Sequence, residues 1–566
     1  MEARMKRIRR ALLAILLIAV MCIGVIGYAM EIGRAQGSSG TTGVTGSTAM
    51  RGSAIKEEMT EEEIEAHKGG FTAGASVHDP SILEVGDEYY IFGSHMESAK
   101  SGDLRTWTTF STGVNAQNKL FSNLFDDKLE AFAFVGKNSD NWYSVWAPDV
   151  IYNKAMQKYV MYFCTSSTYK KSSLCFATAD QPEGPYEFQS VILDSGFNYK
   201  TSKETDFYDY HTKQELKNYL SAGDYDNLKW PNCIDPTVFY DKDGKMWMVY
   251  GSWSGGIFIL EIDEETGYPI HPQEDEQNEV DAYFGKHLLG GVHNSIEGPY
   301  IIYDQNTDYY YLFVSYGALQ AKGGYHIRLF RSKNVDGPYE DTEGQTMGTV
   351  LDHSTYGLKM MGNYSFPGLV FTYMAPGHNS AFADDKDGKM YVVYHQRFDN
   401  GTEYHEPRVH QLFANKEGWL IAAPFATDGE TLESSGYQAS EIAGTYYLVN
   451  HGTDISARVH DAQKIVLTAG NADQTDGTGS PAAGSGKTNS ELSAYSGTVT
   501  GDTAETTGTF ELDEAAPYVT LTLGGVTYSG VMIEMNDEAG NDVMCFTAAG
   551  DNNETIWGVH YYKSEE

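Results

Sequence analysis

Five short phrases in this sequence each place one polar side chain beside a turn: Asp79 in VHDPS, Asp149 in WAPDV, Asp235 in CIDPT, Glu297 in SIEGPY and His378 in GHNS. Asp79, Asp235 and Glu297 make up the minimum set for hydrolysing a glycosidic bond, with one acid, one base and one carboxyl to tune its neighbour. Taken singly, an Asp-Pro at a strand start is a turn device, because Asp accepts local backbone bonds and Pro fixes φ. Recurrence in order is what favours chemistry. The two Asp-Lys-Asp-Gly phrases, at Asp241 and Asp385, lack the third acidic ligand and closing Glu of a calcium-binding loop and read as turns.

The elements that must carry these residues are short strands. After each phrase comes a hairpin of alternating aromatic and aliphatic residues, such as YYIFGS, YVMYFCTS, WMVYGSW, YYLFVSYG and YVVYHQR, with a Gly- or Asp-bearing turn between its arms. The five polar residues lie 62 to 86 residues apart. Repeats of that length with three or four strands each predict the blades of a five-bladed β-propeller, whose innermost strands line one channel and bring their ends together. Uneven spacing requires loop insertions, the largest being the Tyr-rich segment from Asn198 to Trp230. The fold class is therefore all-β. Residues 71–435 are read as the propeller and 440–566 as a small C-terminal β-barrel or sandwich, interrupted by a low-complexity loop from Ala469 to Gly501.

Before the propeller, residues 1–35 read as a signal peptide or membrane anchor and 36–70 as a linker, with an acidic helix candidate from Lys56 to His67. A basic stretch precedes the apolar run Ala11 to Met30, long enough to span a bilayer. Either reading exports the remainder of the chain, so an extracellular or surface-anchored protein is expected, touching a membrane only through an uncleaved leader. A net charge of −38 without a cation cluster past the first ten residues argues against nucleic acid and suits a neutral glycan. Cys164 and Cys175 lie on neighbouring strands, yet buried free thiols are expected. A monomer is expected.

With these phrases in place, the sequence resembles glycoside hydrolase family 43, and within it endo-α-1,5-L-arabinanases with a C-terminal β-barrel. The motifs are VHDPS, WAPDV, CIDPT, GSWSGGIF, SIEGPY and GHNS, and the resemblance runs from about Phe71 to the C-terminus. It implies inverting hydrolysis of internal α-1,5-arabinofuranosidic bonds of arabinan. Asp79 is then the general base and Glu297 the general acid, while Asp235 orients Glu297 and raises its pKa. Trp146 and Trp253 are implied as sugar platforms, blade core being the other reading of each. Asp149 takes a structural or substrate-orienting role, and a calcium ion held mostly by water sits near His378. An exo-acting α-L-arabinofuranosidase or β-xylosidase of the same family is the alternative, separated by the shape of the channel loops. A non-catalytic carbohydrate-binding propeller would not need the three carboxylates.

Overall fold

The computed structural model describes residues 56–470, 494–513 and 515–563; the leader and most of the expected linker lie outside these. Five sheets follow one another along the chain, antiparallel but for one short parallel pairing in the fifth. Their innermost strands are Ser81–Val85, Ser144–Asn153, Thr237–Tyr240, Ile296–Asp304 and Tyr373–Ala383. These strands touch in ring order, and the fifth returns to the first. Ser380 closes the ring: its hydroxyl accepts from the Ile82 amide at 3.1 Å and donates to the Pro80 carbonyl at 2.8 Å. The architecture is the expected five-bladed propeller.

The second strand of a blade is sandwiched between neighbouring blades, so it needs apolar residues on both faces. Met246–Tyr250 and Tyr309–Tyr316 are nearly buried throughout. Between strands, the Asp-Lys-Asp-Gly phrases are turns. Asp241 Oδ1 accepts the amides of Asp243 and Lys245, both at 2.9 Å, leaving that oxygen engaged by the backbone. Cys164, Cys175, Cys233 and Cys545 are free and buried. Cys164 pairs with Leu174 and Cys175 with Phe163, so the first two cysteines point to opposite faces of the sheet.

The Asn198–Trp230 insertion carries one small hairpin, Leu220–Ser221 with Asp224–Tyr225. Otherwise it folds as short helical turns, and its rings gather around Phe197, which meets Phe207 at 4.9 Å, Tyr225 at 5.3 Å and Phe284 at 6.4 Å between centroids. After the fifth blade, eight strands from Gly444–Asn450 to Thr555–Tyr561 form a closed barrel, so the barrel reading holds over the sandwich. One of its strands, Ala494–Gly501, lies within the stretch expected to be loop. Its inward positions include Gly497 and Val499, and a Cβ on Gly497 would meet the Phe510 ring at 2.4 Å. Phe510 fills the space that a larger residue would take, which is why the strand carries little hydrophobic signal.

The expected linker also ends early. Met59 donates to the Tyr561 carbonyl at 3.1 Å and Lys563 to the Glu57 carbonyl at 2.8 Å, so the chain joins the barrel's last strand from residue 57. A helix follows at Glu61–Ala66, capped by Thr60 and Glu63 in a reciprocal box.

Candidate active site

Each innermost strand carries a residue in the left-handed region beside the channel: Asp79 (φ 57°), Ala147 (35°), Asp235 (55°), Gly298 (59°) and His378 (47°), and the fifth strand has a second, Ala375 (48°), before Pro376. In four blades that residue precedes a proline. Asp tolerates this backbone better than most L-residues because its short side chain can bond locally. This register corrects the expected equivalence. In the second blade the corresponding residue is Ala147, and in the fourth it is Gly298, with Glu297 one position earlier. Asp149 lies two residues beyond the turn.

The consequence for Asp149 is plain. It is buried, accepts from the Ser81 hydroxyl, and accepts from the Val238 amide at 2.7 Å. It ties the first three blades together and does not line the channel cavity. Burial pushes its carboxyl up to about 6, against those hydrogen bonds. Of the two roles expected for Asp149, the structural one fits this position.

Asp79, Asp235, Glu297, His378 and Trp146 do come together, lining a cavity of about 320 Å³ with His78, Tyr169 and Leu319. Trp146 forms part of its wall, edge-on to His95 with ring centroids 4.5 Å apart. Trp253 sits differently. Its indole N–H donates to Glu297 Oε2 at 2.9 Å, joined by the Ser252 hydroxyl at 3.1 Å. Trp253 is therefore a partner of Glu297 and is not among the residues lining the cavity.

Asp79 is held from several sides. Its Oδ2 accepts from Ser94 Oγ at 2.5 Å, and that hydroxyl accepts from the Ala147 amide at 2.9 Å. His78 Nδ1 lies 2.8 Å from Oδ2 and His378 Nδ1 lies 3.0 Å from Oδ1. Burial opposes its charge, but the two imidazoles hold the carboxyl well below the ordinary range. His378 shows the reverse: burial disfavours its cation, yet Asp79 and Asp235 carry its pKa up to about 9. Asp235 is pushed up to about 7 by burial. His378 opposes that rise, while Glu297 and Asp79 add to it. Its Oδ2 accepts from the Gly298 amide at 3.2 Å, next to Glu297 in sequence.

A cation would meet two different donor sets here. His78, Asp79 and His395 offer ligand atoms within 4.8 Å of one another and could hold a metal ion. Two imidazoles and a carboxylate suit a transition ion better than calcium, which seeks six to eight oxygens. Around His378, the carboxylates of Asp79, Asp235 and Glu297 make an oxygen-rich wall that fits a hydrated calcium.

Sequence reasoning missed several members of this site. His78 and Ser252 sit inside the motifs that drew attention to their neighbours, so adjacency was an available signal. Tyr325, whose hydroxyl donates to Glu297 Oε1 at 2.8 Å, and His395 lie within ordinary blade strands or their edges and carry none.

Known proteins resemble this chain over most of its length. Residues 73–227 and 210–420 match the model of glycosyl hydrolases family 43, and 424–558 match that of a C-terminal lipocalin-like domain. Extracellular endo-alpha-(1->5)-L-arabinanase 2 of Bacillus subtilis (strain 168) is 40% identical over 499 residues, which is 85% of this chain and 92% of that protein. The extracellular endo-alpha-(1->5)-L-arabinanase of Thermotoga petrophila is 40% identical over 406 residues, 70% of this chain and 80% of its own length. A crystal structure of the Thermotoga petrophila endo-1,5-alpha-L-arabinanase superposes with a TM-score of 0.70 at 35% identity, covering 87% of this chain and 99% of that one.

Proposed function

Because the chain belongs to glycosyl hydrolases family 43 and is a glycoside hydrolase, we propose that it cleaves internal α-1,5-L-arabinofuranosidic bonds of arabinan with inversion, outside the cell. One observation carries the chemistry: Glu297, bound through both oxygens, opens on the same cavity as the charged Asp79. The names and coverage of the relatives support the substrate and the extracellular location, and the apolar run Ala11 to Met30 supports export.

In this reading Asp79 is the general base. The neighbouring imidazoles keep it ionised, so it can take a proton from the attacking water. Glu297 protonates the leaving oxygen. Asp235 lies in the same channel, where burial and the nearby Glu297 raise its carboxyl to about 7. Trp146 offers an apolar ring to the C–H face of a pentose. A hydrated calcium beside His378 belongs to the same reading and would supply positive charge to the carboxylate cluster. Chelation should lower activity, and calcium, not magnesium, should restore it; full activity after exhaustive chelation would remove the ion from the reaction.

The direct test is digestion of linear arabinan with product sizing, beside aryl arabinofuranoside and aryl xyloside. Mixed oligosaccharides from arabinan at early times are expected. Arabinose alone would support exo action, and xyloside turnover without arabinan cleavage would overturn the substrate.

A further inference from the structure

Glu297 has two inequivalent oxygens. Oε2 faces the indole N–H of Trp253, a group that can only donate. Oε2 therefore accepts from Trp253 and also meets the Ser252 hydroxyl at 3.1 Å, which leaves Oε1, with a single neighbour, the better place for the proton that Glu297 delivers. The neighbour of Oε1 is the Tyr325 hydroxyl, 2.8 Å away, which can donate to the carboxylate and accept from the acid. Burial, with Glu297 adding to it, pushes the Tyr325 phenol well above its ordinary range, so it stays a neutral hydroxyl.

Tyr325 is buried and its ring has little room to move. It stacks on His395 at 5.7 Å with planes 10° apart. A Cβ on Gly377 would meet its ring at 2.3 Å, so that glycine permits the fit. The chain enters Tyr325 through Gly324 (φ 73°), where a Cβ would lie 2.6 Å from the Ile455 carbonyl. Ile455 belongs to the connection between the barrel's first two strands, Gly444–Asn450 and Gln463–Ala469.

That barrel connection is locked onto the fourth blade by two buried cations. Arg328 donates to the Thr453 carbonyl, and through Nε to His326 at 3.0 Å. His326 in turn bonds the Gly324 carbonyl at 2.8 Å. Lys359 Nζ donates to the Asp454 carbonyl at 2.7 Å and to Oδ1 at 3.2 Å. A continuous set of contacts thus runs from the barrel to Gly324, to Tyr325 and to the acid.

We propose that Tyr325 is a positioning residue that holds the transferable proton on Glu297 Oε1, and that the barrel segment Thr453 to Ser456 sets Tyr325 in place. The barrel is then part of the acid's support. The proposal rests on the reading of Glu297 as the acid.

The test uses the whole chain and two substrates. Linear arabinan needs a protonated leaving group; 4-nitrophenyl α-1,5-arabinotrioside releases a phenolate that hardly needs one. Y325F should lower kcat on arabinan on the order of 10- to 100-fold, the weight of one hydrogen bond to a charged group, with KM little changed and an altered alkaline limb. On the aryl substrate its loss should stay within roughly threefold, because acid catalysis contributes little there. D454A, which removes the side-chain partner of Lys359 and leaves the carbonyl one, should show the same selectivity in a smaller degree, with circular dichroism unchanged. An equal loss on both substrates, or none, in Y325F would overturn the positioning role. Unchanged arabinan turnover in D454A would overturn the barrel's part in it. E297Q separates this from the parent reading: if it shows no preference between the substrates, Glu297 is not the acid, whatever Tyr325 does.

Discussion

Glu297 accepts from Trp253, Ser252 and Tyr325, a firmer hold than a solvent-exposed carboxyl would have. Glu297→Gln keeps the shape and loses the proton, so arabinan turnover should fall by ~10²–10⁴ while binding persists. Wild-type turnover in that variant would take Glu297 out of the mechanism. Asp235 gives a prediction with a definite sign. Its pKa is raised from 3.8 to about 7, so the folded chain keeps the proton over a range in which the unfolded chain has lost it. The associated stability is fully present below about pH 4 and is lost as pH rises through 7. Asp235→Asn, which cannot ionise, should therefore gain thermal stability relative to the parent above pH 7 and show no such gain at pH 4. A melting difference that is constant with pH would contradict the shift at Asp235.

At the scale of elements, blade strands were legible because burial on both faces demands the apolar runs that the sequence displays, as in WMVYGSW. The carboxylates were legible because a pre-proline turn recurs at the channel end of most blades. Register within that turn was not legible: Ala147-Pro148-Asp149 reads like Asp79-Pro80 until the positive φ is seen to fall on Ala147, which sends Asp149 among the blades. Trp253 was found for its ring, whereas its indole N–H is what Glu297 meets. Tyr325 was beyond reach, because its contact joins residues 28 apart through a turn that no motif marks. The insertion offers a test at this scale. Gly255 donates to the Trp230 carbonyl at 3.0 Å, so the aromatic cluster around Phe197 supports the loop bearing Trp253. Phe197→Ala should cost about 3–5 kcal/mol of local stability, as emptied aromatic sites do. Faster proteolysis between residues 198 and 230 and lower arabinan turnover are expected. Unchanged cleavage kinetics would show that the cluster is not what holds the insertion.

Across the whole molecule, propeller and barrel share one apolar core. Phe366, Leu420 and Phe425 of the fifth-blade region cluster with Val531, Cys545, Trp557 and Val559 on the barrel wall. Buried polar links run alongside that core: Asn363 accepts from the Ala375 amide at 2.6 Å and donates to the Ala457 carbonyl at 3.1 Å. The fused arrangement keeps the five channel ends fixed relative to each other, and the chemistry depends on that. The first blade supplies Asp79, the third Asp235 and the fourth Glu297, so Asp79 and Glu297 stand on non-adjacent blades of a closed ring. The proposed inversion needs room for a water between sugar and base, for a single displacement. A retaining enzyme would need its two carboxyls about 5–5.5 Å apart, with one acting as nucleophile. The most direct measurement is proton NMR of arabinan hydrolysis in its first minutes, before mutarotation. The β-anomer should appear first, and added methanol should yield no methyl arabinoside. Initial α-configured product, or arabinosyl transfer to methanol, would contradict the assignment of Asp79 and Glu297 as base and acid.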